Sequence, residues 1–368
     1  MKVAVIFDGA SALGKSPDLA ILEAVEAVEA ALAGDGHEAV RIPVNPDGRW
    51  IERVRKGRFD VVVNLCEGVD GVAHQEPAVV AVLELLGVPV TGSGSWTLSL
   101  CLRKPLVNAL LDRARLPVPR FGVARPGGVV PNVGFPAICK PAAEDASLGV
   151  EQRSVVRSTR SLAERVRAMH ERWDEILVQR YIDGREVNVG IVGDQALPIA
   201  EIDFAGMPDG LWRIVSYTSK WVEGSVEDRG SVPRCPADLP ESLAEELRAI
   251  ALAAWRLVGG RGYGRVDFRI DAGGRPWLLE VNANPDLSPN AGLARMARVA
   301  GIDFAGLVRT LCEEAIARPA GADLEQWAAA QRLSGIVGGA PPEPEPRSAV
   351  GGPAVPALAA ATATGRNR

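Results

Sequence analysis

The chain has 368 residues, of which 47% are hydrophobic and 24% charged, with a formal net charge of -5. This is ordinary globular composition with material for two or three domains or subdomains. It carries no basic footprint for nucleic acid, and no apolar run is long enough to cross a membrane. The five cysteines (Cys66, Cys101, Cys139, Cys235, Cys312) form no CxxC pair, which points to reduced thiols in a cytoplasmic protein rather than a zinc site or disulfide frame.

MKVAVIFDGA is too short in its apolar run for a signal peptide and reads as a first strand over Val3 to Phe7. A helix follows with Ile21, Val25, Val28 and Leu32 on one face, stopped by Gly34-Asp35-Gly36. A strand near 39–44, a helix near Trp50, a strand over 59–65, a helix around 79–86 and a short strand at 88–90 continue the alternation. That βαβαβ order predicts a parallel sheet with helices on its faces. TGSG (91–94) is a loop, and 96–114 is largely helical. LPVPRFGVARPGG, with its prolines, reads as a domain junction. A smaller unit follows, with strands at 135–140, 155–156 and 176–181 and a helix over 161–170. From Glu186 the strands are antiparallel in character. The polar stretch from Tyr217 to Arg234 is expected to be a long mobile loop and a candidate lid. Helices are expected over 241–258 and 304–317, and a short one over 323–333. From about Gly338 the Pro, Ala, Gly and Thr composition predicts disorder.

GRVDFRIDAGGRPWLLEVNANP (264–285) carries the chemistry. VDFRI and PWLLEV are apolar and β-prone, and Gly273-Gly274 is a hairpin signal. A two-residue loop there sets Asp267 opposite Glu280, and strand period two puts Asn282 on the same face. Arg265 would join them. Two carboxylates and an amide oxygen suit Mg²⁺ shared with substrate phosphates, and the guanidinium can stabilise charge developing in phosphoryl or acyl transfer.

Lys140 ends the strand FPAICK, ahead of the small-residue loop PAAEDASLGV. Such a loop can fold over phosphates, with Ser147 and Gly149 nearest. VQRYIDGREVNV reads as a strand, a turn at Asp183-Gly184 and a second strand. Glu186 could accept bonds from a ribose, and the backbone of Gln179, Arg180, Tyr181 and Ile182 could read an adenine edge. A rival signal is GASALGKS (9–16), which matches the P-loop pattern between a strand and a helix. Pro17 follows where a helix N–H is wanted, and FDVVVNL ends in Asn64 rather than a metal-holding Asp. A P-loop NTPase or kinase acting through Lys15 is therefore the alternative reading, beside a non-ligating nucleotide-binding regulatory protein.

These pieces in this order resemble the ATP-grasp ligases, and within them the D-alanine–D-alanine ligase group. VTGSG with Arg103-Lys104, LPVPRF, FPAICKP…SLGV, LVQRYIDGREVNV, YTSKW and GYGRVDF…LLEVNANP carry the likeness, which covers nearly all of residues 1–319. The resemblance implies a Rossmann-like parallel α/β domain (1–95), a small ATP-grasp subdomain (96–182), a metal-bearing α+β subdomain (183–318) and a tail (319–368). It implies ATP as cofactor and two Mg²⁺ ions, replaceable by Mn²⁺, on Asp267, Glu280 and Asn282. Lys104, Lys140 and Lys220 fall among the nucleotide-binding positions, and Arg265, Lys15 and Tyr217 are the catalytic candidates. The implied activity converts a carboxylate to an acyl phosphate, which an amine attacks to leave an amide, ADP and phosphate. The implied partners are small carboxylate and amine substrates, with no nucleic acid and no membrane, and the implied assembly is a homodimer. The chain departs from the group where substrates bind. Lys15 stands in place of a Glu, Cys66-Glu67-Gly68 in place of a His-Gly loop, Asp286 in place of a Gly and Ala291 in place of a Ser. The expectation is an altered pair of substrates.

Overall fold

The computed structural model describes residues 1–12 and 20–318. Lys15, the helix expected over 323–333 and the tail lie outside the described residues. The first sheet is parallel, in the order β2-β1-β3, with β1 Lys2–Asp8, β2 Glu38–Val44 and β3 Val61–Asn64. Strand β1 is buried on both faces, as parallel strands are. Val3, Val5 and Phe7 pack against Val25, Val28 and Leu32 of the helix Ala20–Gly34. Ala4 and Ile6 face Trp50, Val54 and Leu83 on the other side. The stretch 88–90 is reduced to one parallel bridge, Val62 to Val90.

The second sheet is antiparallel, in the order β4-β7-β5-β6. Its strands are β4 Phe121–Ala124, β5 Ala137–Pro141, β6 Val155–Val156 and β7 Ile176–Arg180. The proline-rich stretch read as a junction thus contains β4: Pro119 and Arg125-Pro126 bracket a short run that still pairs with β7. The helix Thr159–Met169 covers this sheet, its N-terminus capped by Ser158 Oγ, which accepts from Ser161 N at 3.2 Å.

The third sheet runs β11-β10-β8-β12-β13, with β9 on β8. Its strands are β8 Arg185–Val192, β9 Gln195–Ala196, β10 Ala200–Asp203, β11 Val232–Arg234, β12 Tyr263–Ile270 and β13 Pro276–Asn282. Val187, Val189, Ile191, Val266 and Phe268 face the helix Glu241–Leu257 through Leu247, Ala251 and Trp255. By strand parity Glu186, Asn188, Arg265, Asp267 and Arg269 point the other way. Gly264 and Gly260 make room for Trp255, whose ring lies 2.3 Å and 2.2 Å from where their Cβ atoms would sit.

Two local expectations change. VQRYIDGREVNV is not a hairpin: β7 and β8 lie in different sheets, and Tyr181-Ile182-Asp183-Gly184 carries the chain between them. The Tyr217 to Arg234 stretch is not an irregular loop. It holds the helices Tyr217–Trp221 and Val226–Arg229 and the strand β11. Ser216 and Ser225 cap these helices, accepting from Ser219 N and Asp228 N at 3.0 Å each, and Trp221 Nε1 donates to Ala146 O at 2.9 Å. A further helix, Gly292–Val299, precedes the expected one at Phe304–Ala317, and both pack on the first sheet's core through Met296, Leu307 and Leu311.

Candidate active site

The metal hairpin keeps the expected pairing by another route. Ile270 pairs with Pro276, so the connection is the five residues Asp271 to Arg275 rather than two. Asp271 Oδ1 ties it, accepting from Gly273 N at 2.9 Å and Arg275 N at 3.0 Å. Near this turn Phe268 pairs with Leu278, a register that would set Asp267 opposite Leu279. A β-bulge between Asp267 and Phe268 takes up the extra residue, and Asp267 pairs with Glu280 and Arg265 with Asn282. Without it the acid face of β13 would turn away from that of β12.

This face forms one wall of a cavity of about 660 Å³ between the second and third sheets. Arg265, Asp267, Glu280 and Asn282 line it, as do Lys104, Lys140, Ser147, Glu186 and Lys220. Gln179 and Arg180 line it from the end of β7, and Tyr181 and Ile182 from the link that follows. Gly149 and Tyr217 are not on its wall. Gly149 has a φ of +74°, and a Cβ there would stand 2.8 Å from both Pro141 and Trp173, so its part is to let the loop turn. The Tyr217 N–H donates to Val150 O at 2.8 Å, and its ring lies against Trp221.

The wall is an alternation of acids and bases. Arg265 Nε and Nη2 donate to Asp267 Oδ1 and Oδ2 at 2.7 Å and 2.9 Å, and Asn188 Nδ2 donates to Asp267 Oδ1 at 2.7 Å. Lys104 Nζ lies 2.7 Å from Asp145 Oδ1 and 3.4 Å from Glu280 Oε1. Arg269 Nη2 lies 2.7 Å from Glu186 Oε2. Burial alone would raise the Glu280 carboxyl, but Lys104, Lys140 and Arg265 hold it down to about 2. Burial pushes Asp145 up, and the neighbouring Glu280 adds to this against the pull of Lys104. Burial opposes the charge on Lys104, yet Asp145 and Glu280 outweigh it and raise that group. Lys140 is lowered, chiefly by burial. Buried bases set among clustered carboxyl groups make a site for a polyanion carried with hard cations.

Among the described residues no three His, Cys, Asp or Glu side chains group to hold a metal alone. Asp267, Glu280 and Asn282 fit a hard divalent cation whose shell is completed by other oxygens, such as phosphates. Asn282 Oδ1 accepts from Asn284 N at 3.0 Å, which fixes the amide's direction. At the end of β7, Gln179 is 1% exposed and both its amide atoms lack a hydrogen-bond partner among the described residues. The Arg180 and Tyr181 N–H groups already donate to Arg120 O and Pro136 O, at 2.8 Å and 3.0 Å. The strand end and the link therefore offer a planar ligand the Gln179 amide and the Ile182 N–H.

Asp145, Asn188 and Arg269 belong to this wall and were not singled out from sequence. A signal existed for two of them: Arg265, Asp267 and Arg269 alternate in GRVDFRI, and Glu186 and Asn188 alternate in REVNV. A second network ties the end of the hairpin to the helix Glu76–Leu85, which packs on the first sheet. Asn284 Nδ2 donates to Glu76 Oε1 at 2.8 Å, and Tyr263 Oη donates to Asn284 Oδ1 at 2.6 Å. Cys66, in the altered loop, is buried and donates to Gly68 O at 2.8 Å. In the rival P-loop segment, Gly9–Ala12 is helical directly after β1, where a phosphate cradle needs an open loop.

Residues 124–313 match the family model described as D-ala D-ala ligase C-terminus. The D-alanine–D-alanine ligase of Alkalilimnicola ehrlichii is 35% identical over 259 residues, 69% of this chain and 76% of that protein. That of Gluconobacter oxydans is 32% identical over 322 residues, 86% of this chain and 100% of that protein. An uncharacterised protein of Sinorhizobium fredii, y4sG, is 31% identical over 260 residues, 69% of this chain and 74% of its own length. The fold is that of the Bacillus anthracis D-alanine–D-alanine ligase solved with ATP, at a TM-score of 0.70 and 22% identity, covering 89% of this chain and 99% of that one. From the bulge-registered acid face, the cavity of interleaved acids and bases between two sheets and these relatives, the chain belongs to the D-alanine–D-alanine ligase family of the ATP-grasp superfamily and is an ATP-dependent carboxylate–amine ligase.

Proposed function

We propose that the chain joins a small carboxylic acid to a small amine through an acyl phosphate, with substrates other than two D-alanines. The observation that carries the reading is the convergence of Arg265, Asp267, Glu280 and Asn282 on a cavity that Lys104, Lys140 and Lys220 also line. The Gln179 amide and the Ile182 N–H take the adenine edge, Glu186 takes the ribose, and Lys140 and Lys220 bind phosphate oxygens, with Ser147 beside them. Lys104 keeps Glu280 ionised for a cation. Asp267, Glu280 and Asn282 hold Mg²⁺, which supplies charge neutralisation at the phosphates. The acid's oxygen takes the terminal phosphoryl group as ADP leaves. The amine then attacks the acyl carbon, the phosphate leaves with the C–O bonding pair, and the amine gives up a proton. Arg265 steadies the negative charge that builds on the acyl oxygen.

The altered substrate pair rests on Cys66-Glu67-Gly68, Asp286 and Ala291. Asp286 Oδ1 is engaged by Ser288 N at 2.7 Å, and Ala291 offers the helix Gly292–Val299 no side-chain cap. Lys15, outside the described residues, belongs to the same reading. The subdomain bounds 1–95, 96–182 and 183–318, a cytoplasmic location and a homodimer are part of the proposal. No helix among the described residues is long and apolar enough to cross a membrane.

The test is ADP release from the full chain with Mg-ATP and a panel of acids and amines, products identified by mass. Release that needs both an acid and an amine is expected. Turnover with D-alanine alone ends the altered-specificity reading, and no acid-dependent release with any pair ends the ligase reading.

A further inference from the structure

Along β8 the cavity wall passes from Glu186 through Asn188 toward Gly190, about 13 Å at the usual strand rise. At the Gly190 end the helix Gly292–Val299 packs in, with the Gly190 N–H directed to Met296 Sδ at 3.3 Å. Asn290, Gly292 and Arg295 of this region line the same cavity.

Most of the bases on this wall have a partner or a task. Arg265 is held by Asp267, Lys104 by Asp145, and Arg269 by Glu186. Lys140 and Lys220 serve phosphates in the reading above. Arg295 has neither. It is half-buried, its Nη2 donates to Asn290 O at 2.8 Å, and no described carboxylate lies within 4.0 Å of it. Its Nε and Nη1 donate to no group among the described residues. Gly190 pairs with Arg265, so this end of the wall lies beside the Arg265 guanidinium, on the other side of Asp267 from Glu186. A partly desolvated guanidinium with open donors favours an anion, and its fork matches a carboxylate.

Resting on the ligase reading, we propose that Arg295 anchors a second acid group on the amine substrate. The acceptor is then an acidic amino acid, carrying a carboxylate beyond the one common to all amino acids.

The test compares glutamate with glutamine, and aspartate with asparagine, of both hands, as acceptors for the full chain. The readout is kcat/KM for ADP release with the best donor acid. The unaltered chain is expected to prefer the acid over its amide by roughly tenfold or more, as a lost charge-assisted bond implies. Arg295→Met brings that ratio near one, and Arg295→Lys retains part of it. Because the ratio is taken within each variant, a smaller folded fraction does not alter it. No acid preference in the unaltered chain, or an unchanged ratio in Arg295→Met, overturns the assignment. Trapping the activated donor with hydroxylamine separates the two readings. Hydroxamate formed without any acid preference among acceptors sinks the role of Arg295 alone, whereas no hydroxamate with any acid sinks the ligase reading beneath it.

Discussion

Arg265 grips Asp267 with two hydrogen bonds, 2.7 Å and 2.9 Å long, between neighbouring positions on one face of β12. The pair is drawn together because strand period two puts the two side chains side by side, and because a guanidinium fork fits a carboxylate. Burial would lower the Arg265 group, but Asp267 outweighs it and raises it. In the proposed reaction Asp267 would help hold a divalent cation, and Arg265, no longer engaged by Asp267, would be open to the acyl oxygen. Asp267→Asn should then lower ADP release by about 10²-fold or more, the scale of losing a preorganised charge in an active site. Turnover within about threefold of the unaltered chain, at an equal melting temperature, would contradict the assignment.

Gln179 is buried with neither amide atom satisfied by a described residue. A buried polar group without a partner costs about 1–3 kcal/mol, and an apolar group of similar shape avoids that cost. Gln179→Leu should therefore leave the free protein as stable or about 1 kcal/mol more stable, while weakening ATP binding about tenfold. Denaturant unfolding with and without ATP reads both effects. Loss of stability in the free protein together with unchanged ATP affinity would show that the amide serves the fold instead.

Gly184 has a φ of +147°, and a Cβ there would lie 1.9 Å from Ile270 O. Its own carbonyl accepts from Arg269 Nη1 at 3.2 Å, and Arg269 in turn holds Glu186. This backbone region is essentially restricted to glycine. Gly184→Ala should cost about 3 kcal/mol of stability and raise KM for ATP more than it lowers kcat. A change below about 0.5 kcal/mol would mean that the link relaxes freely.

Burial lifts the Glu76 carboxyl well above its ordinary 4.5, and the charge of Asp145 adds to this against the Asn284 hydrogen bond. Below that value both folded and unfolded forms are protonated. Above it the unfolded chain releases the proton while the folded chain keeps it, so stability falls as pH rises. The slope approaches about 1.4 kcal/mol per pH unit until the folded value is reached. Glu76→Gln keeps an acceptor for Asn284 and removes the slope. Urea unfolding at a series of pH values from about 4.5 upward should show the variant gaining on the unaltered chain; parallel curves would be the contrary result.

Several site residues were legible because their placement is local. Asp267, Glu280 and Asn282 share a face through strand parity, and the expected register held at Asp267 although the turn is longer than the glycine pair implied. The bulge after Asp267 restores by one residue what the loop shifts by one. Arg269 and Asn188 share that face by the same parity, but their partners Glu186 and Asp267 stand on the neighbouring strand, which spacing along one strand does not reveal. The helices of 217–234 were signalled by Ser216 and Ser225 at capping positions, but a run so rich in polar residues has too little periodicity to set it apart from a loop.

The sequence by itself determined the alternation of strands and helices, the core faces and the acid face of the metal hairpin, because each follows from side-chain spacing within one element. The tertiary structure decided which distant groups complete that face. Lys104 reaches Asp145 and Glu280, Arg269 reaches Glu186, and Asn284 reaches Glu76 across 208 positions. It also decided that β7 and β8 part into different sheets. Contacts of this kind depend on how sheets pack against one another, and no period along a single strand encodes that.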